Sequence, residues 1–430
     1  MKKIKVLWFT NIPPGAVSEK IGIEKYSGGW LTSLEKELSL SEDVELIVSF
    51  YLDKYLDEFR IGNTTYFPVY RKNSKSKLIR LINRSRNIVK SDNEELLQLL
   101  EVVNKVKPDL IHVHGTEDNF GLLAGKVKIP TVISVQGILS AIAEKFFSGI
   151  PMEVASKNEG IKIKILRKSH LILFKNMRRR LLRERQILER SEYVIGRTEW
   201  DRRVSRLLAP NAIYFTGNEI LRNSFYECVW QPQRSKSKIQ IVTVLSPAIF
   251  KGLEMIVKTA SLLSSYKEFD FEWRVVGLDK KDAIVKVVQQ WLKADFTKLK
   301  VIFLGRKDEK NVLEILMNSN VFCQVSHIEN SSNSLSEAML IGMPIVASNV
   351  GGTSSMIQNQ KEGLLVQEGE SFSTAAAIIE LARNWKLAIE YGKNARSCAL
   401  NRHNKRLIVS ELISVYKKII GEDIEVNAAV

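Results

Sequence analysis

Cysteine is scarce in this chain: Cys228, Cys323 and Cys398 are odd in number and widely separated. Without a C-x-x-C spacing they offer neither a metal nor a redox motif, and a reducing cytoplasm is the expected compartment. Long apolar runs are lacking too. No segment approaches the roughly 18–20 residues of a membrane-spanning helix, so any membrane is expected to be met from its surface. The opening MKKIKVLWFTNIPPG interrupts its apolar run at Lys5 and continues into Pro13-Pro14 with no cleavage pattern. It reads as a first β-strand rather than a secretory signal. Zinc-finger spacing, an RNP-like aromatic motif and a recognition helix are all missing, so nucleic acid is not an expected partner.

What is present is an ordinary globular composition with a basic bias. The 430 residues are 45% hydrophobic and 26% charged, enough for two domains or one large one. Of the net charge of +16, the larger share lies in residues 1–230, with 38 Lys/Arg against 27 Asp/Glu. RKNSKSKLIRLINRSRNIVK (71–90) has no acid, and KIKILRKSHLILFKNMRRRLLRER (162–185) mixes Lys and Arg with Leu, Ile and Phe. Either could be a helix with one solvated basic face. Either could instead be a surface for anionic lipid headgroups or a diphosphate-linked acceptor.

Short β-branched or aromatic runs recur at 4–10, 44–50, 64–70, 109–115, 130–137 and 192–198, mostly separated by helix-length segments. That order favours parallel strands with crossover helices. QPQRSKSK (231–238) reads as a linker, after which the pattern restarts at 239–245, 271–277, 299–305, 321–326, 344–350 and 363–366. Two doubly wound Rossmann-like domains follow, over 1–232 and 239–405. Ligands in such sheets bind beyond the carboxyl ends of the strands, which directs attention to the loops there and to a cleft between two facing domains.

After the first strand, Gly28-Gly29 precede a helix with apolar Trp30, Leu31, Leu34 and Leu38. They form either a flexible turn or a close backbone approach to a phosphate at a helix start. Lys251-Gly252 open a helix after the first strand of the second half, where a lysine can supply positive charge to a diphosphate. In HIENSSNSLSEAMLIGMPIVASNVGG (327–352), Ser334 and Glu337 have capping-box spacing, which accounts for them as a helix start but leaves Glu329 unexplained. Two carboxylates flanking a helix N-terminus offer acceptors for sugar and ribose hydroxyls, with free N–H groups for phosphate between them. His112 and His114 alternate at a strand end without further Cys or His to complete a metal set, so no metal is expected there. His114 could contact an acceptor, and His112 could simply be packed.

The Glu-x7-Glu spacing of Glu329 and Glu337, the block SEAMLIGMPIVASNVGG, the N-terminal Gly-Gly and the Lys-Gly pair resemble family 4 retaining glycosyltransferases of GT-B fold. DLIHVHGTE, VISVQGIL, IGRTEWDR, TGNEILRNSFY and IENSSNSLSEAML are similar to a bacterial subgroup associated with surface-polysaccharide assembly. The resemblance implies that Glu337 binds the donor ribose and Glu329 holds the transferred sugar. It also implies that Lys251 neutralises the diphosphate and that Gly28 and Gly29 shape the phosphate loop. Backbone groups around Asn333, Ser334 and Leu335 would take phosphate oxygens. Gln136 stands where relatives carry a histidine that touches the sugar, and Ser246 where an arginine is usual. The segment 406–421 resembles a terminal helix that crosses back to the first domain.

The activity so implied is metal-independent hexosyl transfer with retained anomeric configuration. The donor would be a UDP- or GDP-sugar, bound as substrate with no cofactor. The acceptor would be a saccharide or lipid-linked saccharide, met in the cytoplasm or peripherally at the inner membrane face. The absence of a D-x-D triplet agrees with lysine and helix dipole in place of a cation. A GT-B epimerase or phosphorylase is an alternative enzyme reading. A catalytically impaired nucleotide-sugar-binding subunit is the non-enzymatic one, favoured by Gln136 and Ser246.

Overall fold

The computed structural model describes residues 2–22, 29–71, 92–160, 169–232 and 238–421. Gly28, nearly all of the acid-free basic stretch, residues 161–168 and most of the linker lie outside the described residues. The first sheet comprises β1 (Ile4–Thr10), β2 (Val44–Leu52), β3 (Phe59–Ile61), β4 (Thr64–Tyr70), β5 (Leu110–His114), β6 (Thr131–Ser134), β7 (Tyr193–Gly196) and β8 (Ile213–Thr216). Its order is β3-β4-β2-β1-β5-β6-β7-β8, parallel throughout except for β3 against β4.

Alternation along β1 shows why the run is apolar almost without break. Ile4, Val6 and Trp8 join a core with Leu31, Leu34 and Leu38 of the Gly29–Leu38 helix and with Ile408, Leu412 and Tyr416 of the Lys405–Ile420 helix. Leu7 and Phe9 point the other way, into a cluster with Leu99 and Val103 of the Asp92–Val106 helix. A parallel strand covered on both faces has no polar side to display.

The second sheet comprises β9 (Ile239–Val244), β10 (Phe271–Val276), β11 (Val301–Gly305), β12 (Val321–Gln324), β13 (Ile345–Ser348) and β14 (Leu364–Val366). Its order is β11-β10-β9-β12-β13-β14, all parallel. In each sheet the order reverses beside the first strand, between β1 and β5 and between β9 and β12. Those reversals are the topological switch points where open α/β sheets leave a crevice.

The chain falls into two compact units: Met1–Ser140, Asn176–Ile220 and His403–Val430 in one, Ala141–Lys175 and Leu221–Arg402 in the other. This differs from a single division near 232–239, because residues 146–158 have packing partners in the second unit. Phe146 meets Phe250 with ring centroids 6.0 Å apart, and the Met152–Asn158 helix packs on Ala283–Leu292. β3 and β8 were not expected from the sequence. Both are short, and Arg60 and the exposed Ile213 blur their pattern.

Candidate active site

Lys251 and Glu329 leave the second sheet on the two loops that flank its switch point. The chain leaves β9, makes one 3-10 turn over Ile249–Lys251 and enters the Leu253–Ser265 helix through Gly252 at φ 78°. A side chain at Gly252 would also place Cβ 2.0 Å from the Val325 carbonyl oxygen, so the loops from β9 and β12 approach closely only because this residue is glycine. The Lys251 Nζ lies 2.6 Å from Glu329 Oε1, with both side chains mostly covered. The glycine pair after β13 fixes the carboxylate's loop. Gly352 N–H donates to the Glu329 carbonyl at 3.0 Å, and Gly351, at φ 49°, would set a Cβ 2.0 Å from that same oxygen.

The helix behind this loop is Asn333–Ile341, and its cap corrects the sequence reading. Ser332 is the N-cap, its Oγ accepting from the Leu335 N–H at 3.4 Å. The helix therefore starts before Ser334, and Glu337 lies beyond the first turn, out of reach of a capping box. Glu337 is instead gripped by Arg222, whose Nε and Nη2 each donate to one carboxylate oxygen at 2.7 Å. Burial pushes the Glu337 carboxyl above its ordinary value against the downward pull of Arg222. The Leu335 N–H is engaged by the cap, which leaves those of Asn333 and Ser334 as the first-turn donors beyond the intrahelical ladder. Ser246 is exposed on the loop after β9.

The other expected site residues belong to the first unit. Gly29 begins the Gly29–Leu38 helix. Gln136 is half-buried on the loop after β6, which Glu184 clamps by accepting from the Leu139 N–H at 2.9 Å, the Ser140 N–H at 2.8 Å and Thr116 Oγ1 at 2.7 Å. His112 is packed: its ring nitrogens lie 2.7 Å from Tyr416 Oη and 2.6 Å from Ser134 Oγ, and burial draws its pKa down to about 3. His114 is equally buried, with both ring nitrogens unpartnered and Trp8 4.4 Å away edge-on. Burial first, then His112 and Arg197, hold it well below the ordinary histidine value, so it is a neutral imidazole. Among the described residues, no group of three or more His, Cys, Asp or Glu is placed to hold a metal ion.

Several participants were not anticipated. Arg222 sits in the quoted TGNEILRNSFY, yet its partner is 115 residues away and no local spacing announces it. Glu117, just past β5, takes a hydrogen bond from Asn11 Nδ2 at 2.9 Å beyond β1. Burial raises its carboxyl to about 7, helped by the nearby charge of Glu184. Arg197 stacks over Trp30 at 4.2 Å from the ring centroid.

Residues 229–398 match the family model described as glycosyl transferases group 1. That group 1 segment contains Lys251, Glu329 and Glu337. Over 124 residues the chain is 31% identical to the N-acetyl-alpha-D-glucosaminyl L-malate synthase of Bacillus anthracis, covering 29% of this chain and 32% of that protein. Over 105 residues it is 30% identical to the capsular polysaccharide biosynthesis glycosyltransferase CapM of Staphylococcus aureus, covering 24% and 28%. The chain thus spans about a third of the length of these curated relatives. Among solved structures, sucrose-phosphate synthase from Thermosynechococcus elongatus superposes with a TM-score of 0.69 at 14% identity, covering 98% of this chain and 100% of that one. The Anabaena HepE protein in complex with UDP and glucose gives 0.64 at 14% identity, covering 96% and 100%. These likenesses show the fold, which is GT-B.

Proposed function

We propose that this protein is a retaining glycosyltransferase of family 4 type. It would move a hexosyl group from a nucleotide diphosphate donor to a saccharide or lipid-linked acceptor in surface-polysaccharide synthesis. One observation carries the reading: two carboxylates, each matched by a cation, stand at the second sheet's switch point, Glu329 ahead of the Asn333–Ile341 helix and Glu337 just past its first turn. Glu337 would take the ribose hydroxyls. In the donor complex Lys251 would exchange Glu329 for the diphosphate, freeing that carboxylate for the transferred sugar. The first-turn N–H groups of Asn333 and Ser334 would take phosphate oxygens. The leaving diphosphate would accept the acceptor proton, so fixed positive charge matters more than a general base, and glutamine at position 136 is compatible with turnover. The Anabaena HepE complex holds UDP and glucose, which supports a UDP-sugar as the first donor to try.

Docking on an anionic inner membrane face is part of the proposal. The His170–Glu189 helix exposes Arg178, Arg179, Arg180 and Arg185, a concentration of positive charge suited to anionic headgroups. Among the described residues, no helix is long and apolar enough to cross a membrane.

The deciding experiment measures melting temperature against a panel of nucleotide diphosphate sugars, repeated with Glu337→Ala. A selective rise that the variant loses is expected. No rise with any donor would defeat the reading. A rise without turnover on any acceptor would favour the second reading, a nucleotide-sugar-binding partner subunit, for which Ser246 and Gln136 speak.

A further inference from the structure

Two residues ahead of Glu329 stands a histidine that the donor reading leaves without a task. His327 is 2% exposed. Its backbone N–H donates to the Phe250 carbonyl at 2.9 Å, one residue from Lys251. Its Nε2 lies 2.5 Å from Glu254 Oε1, in the first turn of the helix that follows Lys251-Gly252. Its Nδ1 lies 3.1 Å from Glu368 Oε1, just past β14, and the other Glu368 oxygen takes Lys145 Nζ at 2.6 Å. Gly149 closes the arrangement from the 141–175 segment. A Cβ there would fall 2.0 Å from Glu254 Oε1 and 2.1 Å from His327 Nε2. One imidazole therefore ties together the loops after β9, β12 and β14 and the segment inserted from the first half of the chain.

An imidazole between two carboxylates can donate from both nitrogens only when protonated; when neutral, one contact sets lone pair against lone pair. Burial lowers the proton affinity of His327, but the hydrogen bonds and charges of Glu254 and Glu368 outweigh it, and the net displacement is upward. The charged groups facing the ring are those two carboxylates, with Lys145 behind Glu368.

We propose that His327 is a positioning residue of the donor site, a proton-dependent pin that holds the Lys251 loop and the Glu329 loop in register. The inference rests on the donor reading above. Because the folded value is raised, the pin's contribution is fully present below the ordinary histidine value of about 6.5 and is lost as pH rises through the folded value. Donor affinity falls over the same interval.

The test has two arms, both on the full chain. In the first, the rings of the five histidines are isotope-labelled and followed by NMR from about pH 5 to pH 9. His327 is expected to titrate above 6.5, and Gly149→Ala is expected to pull that value down by pushing the ring off Glu254. In the second, UDP-glucose and GDP-mannose are titrated into wild type and His327→Gln near pH 6 and pH 8.5. Wild-type affinity for the accepted donor is expected to fall at least about fivefold with pH, while the variant binds weakly at both and loses melting temperature mainly near pH 6, where the wild-type ring is protonated. A His327 ring titrating at or below 6.5, or a variant binding as tightly as wild type at both pH values, would overturn the proposal. If wild type binds neither donor, the donor reading fails, and the titration arm still judges the pin.

Discussion

The switch points of the two sheets differ in what stands beside their titratable groups. Beside β9 and β12, each carboxylate keeps a cation: Glu329 has Lys251 and Glu337 has Arg222. Beside β1 and β5, burial removes charge instead. His112 and His114 are held neutral, and Glu117 has its ionisation postponed to about 7. A paired ion can change partner at little cost, since one charge replaces another of the same sign. A group neutralised by burial resists taking on charge at all. The first arrangement is the one that the proposed exchange with a diphosphate requires.

The comparison breaks most severely at Lys251. Lys251→Ala should lower transfer by about 10²–10³-fold, the usual loss when one preorganised charge is removed from a transition state; rates with a saturating acceptor check it. Glu337→Ala should abolish the donor-induced rise in melting temperature and cost about 2–3 kcal/mol, because Arg222 is left largely covered without its anion. Arg222→Met with Glu337→Leu should recover most of that stability in urea melts without recovering donor binding. If the double variant stays as unstable as the single one, the pair is structural rather than exchangeable.

In the first unit, Tyr416→Phe should cost about 1–2 kcal/mol in denaturant, since Trp8 Nε1 donates to its hydroxyl at 2.9 Å and His112 Nδ1 stands 2.7 Å from it. Donor binding should not change. Glu117→Gln changes the shape of the pH profile and is read as a difference in stability against pH. With a folded value raised to about 7, Glu117 contributes stability that is full below about 4.3 and is lost as pH rises through 7. The variant should remove that decline and leave an acid limb to which both His112 and His114 contribute. The share from His112 is present above about 6.5 and lost as pH falls towards 3.

Most of the strand order was legible because parallel strands buried on both faces must be written in β-branched and aromatic residues. β3 and β8 escaped notice because a three-residue antiparallel strand and an exposed edge strand are under no such pressure. Lys251 and Glu329 could be singled out because each lies on a loop shortly after a strand, whereas Glu337, inside the Asn333–Ile341 helix, stood out only through the Glu-x7-Glu spacing of the resemblance. Arg222, Glu117 and His327 could not be singled out either way. Their partners lie 115, 106 and 73 residues away, and only tertiary folding brings them together. The capping-box reading failed for the converse reason: a local pattern was right in spacing and displaced by the true cap two residues earlier, at Ser332.

The segment Ala141–Lys175 also bears on the order of events at the ribosome. Phe146 is made roughly 100 residues before Phe250, a delay on the order of 5–20 s at ordinary translation rates. Through that interval a stretch with two adjacent phenylalanines has no docking surface, while the strands on either side of it already have theirs. The nascent chain must therefore tolerate an apolar loop that stays unemployed until the second sheet is threaded out, and a fragment that stops at the linker never acquires the surface that covers it.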